Sequence, residues 1–368
     1  MISHSAGAAR LNLLALDQSA LEHFVGTLAW PRYRAQQILQ WLYRKRARSI
    51  DQMTDLSQAE RRQLATMAGI DRFEECQVLQ SGDGSRKFLM QLHDGLQVET
   101  VVIPEGRRLT LCLSTQVGCT LDCRFCLTGQ MGLKRNLKAH EIVDQFLTVQ
   151  ERLQAGERVT NLVLMGMGEP LANLESVSEA VTRLTNSRWG PGIAPSRITL
   201  STAGLASRLQ EVARLGINLA VSLNATTGAQ RADLMPAADR LHSLEELLKA
   251  CRRYPLPPRR RLTIEYVLLG GINDTDQDAR RLTTLLNGMR CKVNLIPFNE
   301  FPGNPYRRPD EAQVLRFQSI LKTAGFDTFI RESKGRDVLG ACGQLGQLAA
   351  RSDPPDLVPL GVAQSCRT

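Results

Sequence analysis

Three cysteines lie within eight residues of the sequence, in VGCTLDCRFCLTG, where Cys119, Cys123 and Cys126 follow the spacing C-x3-C-x2-C. The whole chain has nine cysteines. In a reducing compartment such cysteines are better explained by metal binding or catalysis than by disulfide bonds. Three neighbouring thiolates are typical ligands of an iron–sulfur cluster, in which a missing fourth ligand leaves one iron open to a substrate. Structural zinc is the alternative, but it normally takes four ligands, and no fourth Cys or His lies near in the sequence.

A glycine-rich segment, GMGEP, directly follows a predicted strand. Gly166 and Gly168 allow a sharp turn at which the backbone can approach a ligand closely. Glu169 then offers a carboxylate that can accept a hydrogen bond. On its own, such a turn is more often structural than ligand-binding, and both interpretations stay open at this point.

Three further residues carry reactive or ionisable groups. Cys112 lies seven residues before the first cysteine of the motif, Cys342 lies in GACGQL near the C-terminus, and Glu99 lies in VETVV. By residue type alone, each cysteine fits an inert buried thiol. Glu99 equally fits a charge on the exposed face of a hairpin.

The elements that must position these residues alternate between strands and helices from about residue 109 to residue 331. Apolar, β-branched runs predict strands at 109–114, 162–165, 197–200, 219–223, 262–269, 292–297 and 327–330. Amphipathic stretches predict helices at 140–153, 174–184, 243–253, 274–287 and 311–325. This alternation predicts parallel β/α units, arranged as a barrel or as an open doubly wound sheet. In both folds, ligands bind at the carboxyl ends of the strands.

The preceding part of the chain predicts a hairpin and a helical module. KFLMQL and LQVETVVIP, separated by turn residues, predict two paired strands. Residues 1–70 predict a separate helical module, in which a helix at 33–49 ends in the basic run Arg44, Lys45, Arg46 and Arg48. That run is either a solvated helix end, where cations are favoured, or a contact to RNA phosphates.

Charge and hydropathy restrict the possible partners and location. The net charge of +9 over 368 residues fits an anionic partner such as nucleic acid, or a basic surface that aids solubility. No apolar run approaches the roughly 20 residues of a membrane span, and the N-terminus does not resemble a signal peptide. We therefore expect a cytoplasmic protein with no membrane partner. The Pro-rich residues 351–368 predict a flexible tail.

The order of six motifs resembles the RlmN-type adenine methyltransferases of the radical S-adenosylmethionine (SAM) superfamily. The motifs are LCLSTQVGCTLDCRFCLTGQMGLKRNL, NLVLMGMGEPLAN, ITLSTAG, IEYVLLGGIND, NLIPFNEFPG and ACGQL. Together with the helical N-terminal module, the similarity covers nearly the whole chain. It implies an α/β fold with a small helical RNA-binding domain at 1–70, a β-hairpin linker region at 71–108, and a partly open (β/α) barrel of the radical SAM type at 109–350.

The resemblance also implies two cofactors. One is a [4Fe–4S] cluster on the three cysteines of the motif, and the other is SAM, of which two molecules are used per turnover. The contacts to SAM that the matching motifs imply are Gly168, Glu169, Ser201, Ser222, Leu223, Asn224 and Asn299. One position departs from the family pattern, because SLNA stands where many members have SLHA. Asn224 can still donate and accept hydrogen bonds.

The implied activity is methylation of adenine carbon 2 in 23S rRNA and in tRNA, at the adenine that follows the anticodon. Cys342 would take a methyl group from a first SAM, and a radical derived from a second SAM would activate that methyl group. Its carbon would then add to the adenine and join protein to RNA. Glu99 would remove the ring proton, and Cys112 would attack the Cys342 sulfur to release the product as a transient disulfide forms. An electron donor of the flavodoxin or ferredoxin type is a further implied partner.

Two alternatives to this function stay open. Cfr-type relatives methylate adenine carbon 8, but GMGEP and NEFPG favour the RlmN type, because the Cfr type tends towards GMGEA and lacks the FPG segment. The other alternative is a non-catalytic RNA-binding protein with a structural iron–sulfur cluster. It would need a fourth protein ligand and no pocket for SAM.

Overall fold

Helices and strands alternate along most of the chain in the computed structural model, which describes residues 10–73, 76–346 and 364–365. The strands are β1 Leu11–Asn12, β2 Ala68–Gly69, β3 Cys76–Gln80, β4 Arg86–Gln91, β5 Gln97–Glu105, β6 Arg108–Cys112, β7 Gln116–Val117, β8 Arg135–Asn136, β9 Asn161–Leu164, β10 Ile198–Thr202, β11 Asn218–Ser222, β12 Leu262–Leu268, β13 Cys291–Pro297, β14 Thr328–Ile330 and β15 Gln364–Ser365. The helices are α1 Gln18–Thr27, α2 Tyr33–Tyr43, α3 Gln58–Met67, α4 Leu127–Gln130, α5 Ala139–Arg152, α6 Leu174–Thr185, α7 Leu209–Ala213, α8 Gly228–Leu234, α9 Pro236–Leu241, α10 Leu244–Arg252, α11 Asp276–Leu286 and α12 Glu311–Thr323.

One sheet of eleven strands forms the centre, in the order β14-β13-β12-β11-β10-β9-β6-β5-β4-β3-β15. The strands from β6 to β14 in this sheet pair in parallel, whereas β3 to β6 pair antiparallel. Leu162, Leu200 and Ile264 are fully buried, as expected for parallel strands covered on both faces. Because β14 ends the sheet, the parallel part stays open. The α/β architecture predicted from the sequence is confirmed.

The predicted parallel strands and the long helices lie within two residues of their observed bounds, but the helix predicted at 33–49 is too long. The observed helix α2 ends at Tyr43. Beyond it, the Ala47 N–H donates to the Trp41 carbonyl at 2.9 Å, and Arg46 adopts the left-handed conformation with φ of 55°. The chain therefore reverses direction within the basic run, all of which lies beyond the last residue of the helix.

Buried polar contacts attach the N-terminal module to the strand–helix units. Arg72, two residues after the module, forms a buried ion pair with Asp144 of α5. Arg183 of α6 donates to the Leu14 carbonyl at 2.6 Å and to the Tyr43 hydroxyl at 2.8 Å. Removing one partner of a buried ion pair typically costs 3–5 kcal/mol, so these contacts fix the module on the barrel.

The segment between the module and the barrel belongs to the same sheet as the barrel. Strands β3, β4 and β5 continue the sheet beyond β6, and Val101 of β5 lies opposite Cys112 of β6. The predicted domain bounds at 1–70, 71–108 and 109–350 stay predictions. Most of the predicted tail at 351–368 lies outside the described residues. No helix of the described part is long and apolar enough to cross a bilayer.

Candidate active site

A cavity opens at the carboxyl ends of the parallel strands and brings together most of the residues singled out in the sequence. These are Cys119, Cys123, Cys126, Gly166, Gly168, Glu169, Ser201, Ser222, Asn224, Asn299 and Cys342. Strands β9 to β13, and Arg331 just after β14, all contribute to its lining. The sheet therefore curves around this cavity, at the end where ligands of parallel β/α folds bind.

The three cysteines of the motif lie on a tight loop that only glycine allows. A Cβ on Gly118, whose φ is +75°, would lie 1.8 Å from the Gly132 carbonyl oxygen. A Cβ on Gly129 would lie 2.8 Å from the Cys123 carbonyl oxygen. The loop closes with a hydrogen bond from the Cys126 N–H to that same carbonyl at 3.1 Å, and α4 begins one residue later. The C-x3-C-x2-C spacing of the motif therefore corresponds to the length of this loop.

The donor set of the loop fits an iron–sulfur cluster. Burial raises the pKa values of the Cys119, Cys123 and Cys126 thiols, and all three line the same cavity. Among the described residues, no three His, Cys, Asp or Glu side chains are grouped so that they could hold a metal ion. Three thiols on one loop that line the same cavity are the ligand type of an iron–sulfur cluster, which distributes its thiolates over several irons.

The glycine-rich turn is closely packed against its neighbours, and it also lines the cavity. A Cβ on Gly166 would lie 2.6 Å from the Ser114 hydroxyl oxygen, and one on Gly168 would lie 2.5 Å from Gln116. The Glu169 carboxylate accepts hydrogen bonds from the Leu171 N–H at 3.0 Å and from the Ala203 N–H at 2.9 Å. Burial raises the pKa of Glu169. Packing therefore supports the structural interpretation of this turn, and the ligand-binding interpretation stays a prediction.

Ser201 and Ser222 lie on adjacent strands, with their hydroxyl oxygens 3.2 Å apart. Asn224 follows with φ of 55°, a conformation that Asn tolerates better than most residues. Its Oδ1 accepts from the Val267 N–H at 2.8 Å, so its side chain also stabilises the backbone. Leu223 is fully buried and does not line the cavity, and its N–H donates to the Glu265 carbonyl at 2.9 Å, so the structure does not bring Leu223 to the cavity.

Cys342 lies on the border between two cavities. The residue as a whole is exposed, although protein atoms surround its thiol, and its carbonyl accepts a hydrogen bond from Asn299 Nδ2 at 3.1 Å. It lines the cavity of the cluster cysteines and also a smaller neighbouring cavity that contains Cys112. The surrounding protein desolvates the Cys342 thiol and raises its pKa, an effect that the positive charge of Arg331 opposes.

Cys112 lies near the end of β6 and is buried. Desolvation by this burial raises the pKa of its thiol to about 12. The Cys112 and Cys342 thiols are both free, and Met165, Ile296 and Arg331 complete the wall that the two cavities share. The structure thus places the two cysteines in one small cavity, next to the cavity of the motif cysteines.

Glu99 is not on the exposed face of a hairpin, and that interpretation is wrong. Only 3% of its surface is exposed, and its carboxylate pairs with Lys87 Nζ at 3.4 Å. Its Oε2 also accepts from the Gly346 N–H at 3.0 Å, while Lys87 Nζ donates to the Leu339 carbonyl at 3.4 Å. The pair therefore holds both ends of the loop that carries Cys342, and Glu99 lines neither cavity.

Two residues of the cavity were missed in the sequence. Glu265 lies in the middle of β12 and Arg331 directly after β14, and both line the cavity of the cluster cysteines. Glu265 had a visible signal, because a carboxylate interrupts the otherwise apolar run LTIEYVLL. Arg331 had a weaker one, its place after a short predicted strand.

Comparisons with known proteins find matches along most of the chain. Residues 11–70 match the family described as ribosomal RNA large subunit methyltransferase N-terminal domain, and residues 113–283 match the radical SAM superfamily. The dual-specificity RNA methyltransferase RlmN of Syntrophus aciditrophicus is 47% identical over 337 residues, which are 91% of this chain and 96% of that protein. The protein of the same name from Geobacter sulfurreducens is 47% identical over 342 residues, covering 92% and 93%.

A solved structure gives the same result. The crystal structure of a radical SAM methyltransferase from Sphaerobacter thermophilus matches with a TM-score of 0.86 at 41% sequence identity. The match covers 91% of this chain and 98% of that one. Both the strand–helix units and the N-terminal module therefore have counterparts in that enzyme.

Proposed function

Because the chain belongs to the RlmN family of radical SAM RNA methyltransferases, we propose that it methylates carbon 2 of adenine in 23S rRNA and in tRNA. Membership confirms the predicted radical SAM fold and the enzyme class, and it rules out a non-catalytic RNA-binding protein. As a radical SAM enzyme, the protein uses a [4Fe–4S] cluster and SAM. The observation that carries the finer proposal is the position of Cys342 between the cavity of the cluster cysteines and the cavity of Cys112.

The binding roles follow from the lining of the larger cavity. Cys119, Cys123 and Cys126 hold the cluster. The contacts to SAM come from residues that face the same space, namely Gly168, Glu169, Ser201, Ser222, Asn224 and Asn299. Leu223, the other contact that the resemblance implies, is buried beside them. The apolar side chains Phe125, Val267 and Phe298 complete the wall and exclude water from the reaction.

When bound, the cluster supplies the electron for reductive cleavage of SAM, which provides the radical chemistry. Cys342 accepts a methyl group from one SAM, and the carbon of that group, once activated with a second SAM, becomes bonded to adenine carbon 2. The Cys112 thiolate then attacks the Cys342 sulfur and forms a disulfide between the two cysteines. The sulfur–carbon bond breaks with its electron pair going to the carbon, which takes up a proton and becomes the methyl group of the product. Their shared cavity supports this step, because thiol displacement requires access to the sulfur attacked.

Glu99 is the proposed acceptor of the ring proton. In the structure its carboxylate is engaged by Lys87 and by the Gly346 N–H. For Glu99 to reach the adenine, the loop that carries Cys342 must shift so that this carboxylate faces the smaller cavity. The role of Glu99 is therefore tied to a rearrangement of that loop when RNA binds.

The N-terminal module is proposed to bind RNA, but through fewer cations than the sequence indicates. Lys45 pairs with Asp55 at 3.3 Å and lies over the Trp41 ring, and Arg48 pairs with Glu151 at 2.7 Å. These two cations are already neutralised by the protein. They are poor candidates for phosphate contacts.

A different set of arginines is available to RNA. Arg46 lines a surface cleft together with Arg158 and Arg197, and the described residues that line it include no Asp or Glu. Arg44 also lines the cleft, but it donates to the backbone carbonyls of Ser187 and Gly190. The cleft lies before β9 and β10, at the end of the strands opposite the active site, so it suits a backbone segment remote from the target adenine.

The test of the proposed function is nucleoside analysis by mass spectrometry of rRNA and tRNA from cells with and without the protein. We expect 2-methyladenosine in both RNAs only when the protein is present. Finding 8-methyladenosine instead would assign the Cfr-type activity. Loss of the product in rRNA alone or in tRNA alone would restrict the proposal to one substrate. A reductant of the flavodoxin or ferredoxin type is proposed as the electron donor, and reconstitution with each protein tests it.

A further inference from the structure

Glu265 has a carboxylate oxygen that is buried without a partner. Only 4% of the residue is exposed, and Oε2 makes no hydrogen bond with any described residue. The other oxygen, Oε1, accepts from Asn294 Nδ2 at 3.0 Å. Buried carboxylate oxygens are almost always hydrogen-bonded, so an unpaired one requires an explanation. Because Glu265 lines the large cavity, a bound ligand can supply the missing donor.

The position of Glu265 continues a row of polar side chains. Glu265 of β12 lies opposite Ser222 of β11, and the Ser222 hydroxyl lies 3.2 Å from that of Ser201 on β10. Three neighbouring strands thus present two hydroxyls and one carboxylate to the same cavity. A ligand that contacts the two serines therefore lies next to Glu265.

Protein groups near Glu265 leave Oε2 free. Asn294 is used by the other oxygen. Burial raises the pKa of Glu265, an effect that the positive charge of Arg331 opposes, but no ion pair within 4.0 Å joins the two side chains in the described part of the chain. The partner of Oε2 is therefore not a side chain of this site.

SAM offers donors at three places: its amino group, its ribose hydroxyls and the amine of its adenine. In the proposed function the amino group lies at the open iron, beside the loop of the cluster cysteines. Glu265 lies instead on β12, opposite Ser222, and it lines the cavity together with Cys342. The part of SAM that must approach Cys342 is its sulfonium and the adjoining ribose carbon, so the ribose hydroxyls are the donors nearest to Glu265.

We propose that Glu265 binds the ribose hydroxyl groups of SAM. A carboxylate that accepts from a ribose diol is a recurrent solution in nucleotide-binding proteins, and the two serines supply further hydrogen bonds. The proposal rests on the proposed function only in so far as SAM occupies this cavity. It does not depend on which carbon of adenine is methylated.

The test measures binding and not turnover. S-adenosylhomocysteine is titrated anaerobically, by calorimetry, into the holoenzyme with its cluster oxidised, because this ligand cannot transfer a methyl group. The same titration is made with its 2′-deoxy and 3′-deoxy analogues. Glu265→Gln is the variant, since the Asn294 contact to Oε1 places an amide NH2 where Oε2 stands. Glu157→Gln is the matched control, because Glu157 pairs with Arg86 away from the cavity.

We expect Glu265→Gln to weaken binding of S-adenosylhomocysteine by about 10- to 100-fold, the range typical of a hydrogen bond to a charged group. Glu157→Gln should leave it unchanged. At least one deoxy analogue should bind the unaltered enzyme more weakly, and this loss should disappear in Glu265→Gln.

The proposal is overturned if Glu265→Gln binds S-adenosylhomocysteine as tightly as the unaltered enzyme. It is also overturned if both deoxy analogues lose the same factor in the variant as in the unaltered enzyme. Equal cluster absorbance in all variants shows that each one is folded and loaded. Nucleoside analysis of the unaltered protein tests the proposed function separately, so the two failures can be told apart.

Discussion

Neutralising the cleft arginines should reduce the dependence of RNA binding on salt. The perturbation is the triple variant Arg46→Gln, Arg158→Gln and Arg197→Gln. Each lost phosphate contact should lower the slope of log K against log salt by about 0.7 to 0.9. Three contacts amount to a change of about 2 to 2.7, so the affinity lost between 50 and 200 mM salt should shrink by about 20- to 40-fold. Holding Arg46 at positive φ, where glycine is preferred, costs about 1 kcal/mol, which is consistent with a use for its side chain.

The assay is fluorescence anisotropy of a labelled RNA stem-loop at several salt concentrations. The matched control replaces three cations that already have carboxylate partners, with Lys45→Gln, Arg48→Gln and Arg261→Gln. It removes the same charge but should change the slope much less. Formation of methylated Cys342 without RNA should survive in both variants. Equal slopes in the two triple variants would refute the assignment of the cleft, because the effect would then reflect net charge alone.

The remaining predictions concern the cysteines. Replacing Cys119, Cys123 or Cys126 by Ala should abolish the brown chromophore and all methylation, as absorbance and product analysis would show; full activity in any of the three would refute the cluster assignment. Cys342→Ala should give neither methylated enzyme nor RNA adduct, whereas Cys112→Ala should accumulate cross-linked RNA, visible as a nuclease-sensitive gel shift; an adduct in Cys342→Ala would contradict these roles. Because the pKa of Cys112 is raised to about 12, its thiolate fraction rises tenfold per pH unit, and single-turnover release of the adduct should accelerate by about 100-fold between pH 7 and 9. A flat profile would mean that another step limits release.

The periodicity of apolar residues was enough to predict the parallel strands and the long helices, because buried strands and amphipathic helices each have a characteristic pattern of apolar residues in the sequence. The strand predicted at 292–297, for example, is observed at Cys291–Pro297. The end of α2 was not predictable in this way. The reversal at Arg46 occurs at a residue with no turn preference and depends on contacts with the barrel that are remote in sequence.

The residues of the candidate site also differ in how well the sequence predicts their positions. The three cysteines of the motif are close in sequence, so their spacing alone predicted a common site. Glu99 could not be placed, because its burial depends on Lys87 of the neighbouring strand and on Gly346, almost 250 residues away. Glu265 was visible as an acidic residue in an apolar strand, yet its unpaired oxygen follows only from the packing of the barrel.

The contact between Glu99 and Gly346 makes one backbone amide a reporter of the state of the site. While the Gly346 N–H donates to Glu99 Oε2, its proton is protected and should exchange slowly with solvent deuterium. In the loop shift proposed for the reaction of Glu99 with the adenine, that proton loses its acceptor. Deuterium uptake at Gly346, followed with and without bound RNA, therefore measures how often the base is released from its closed pair, independently of any chemistry that follows.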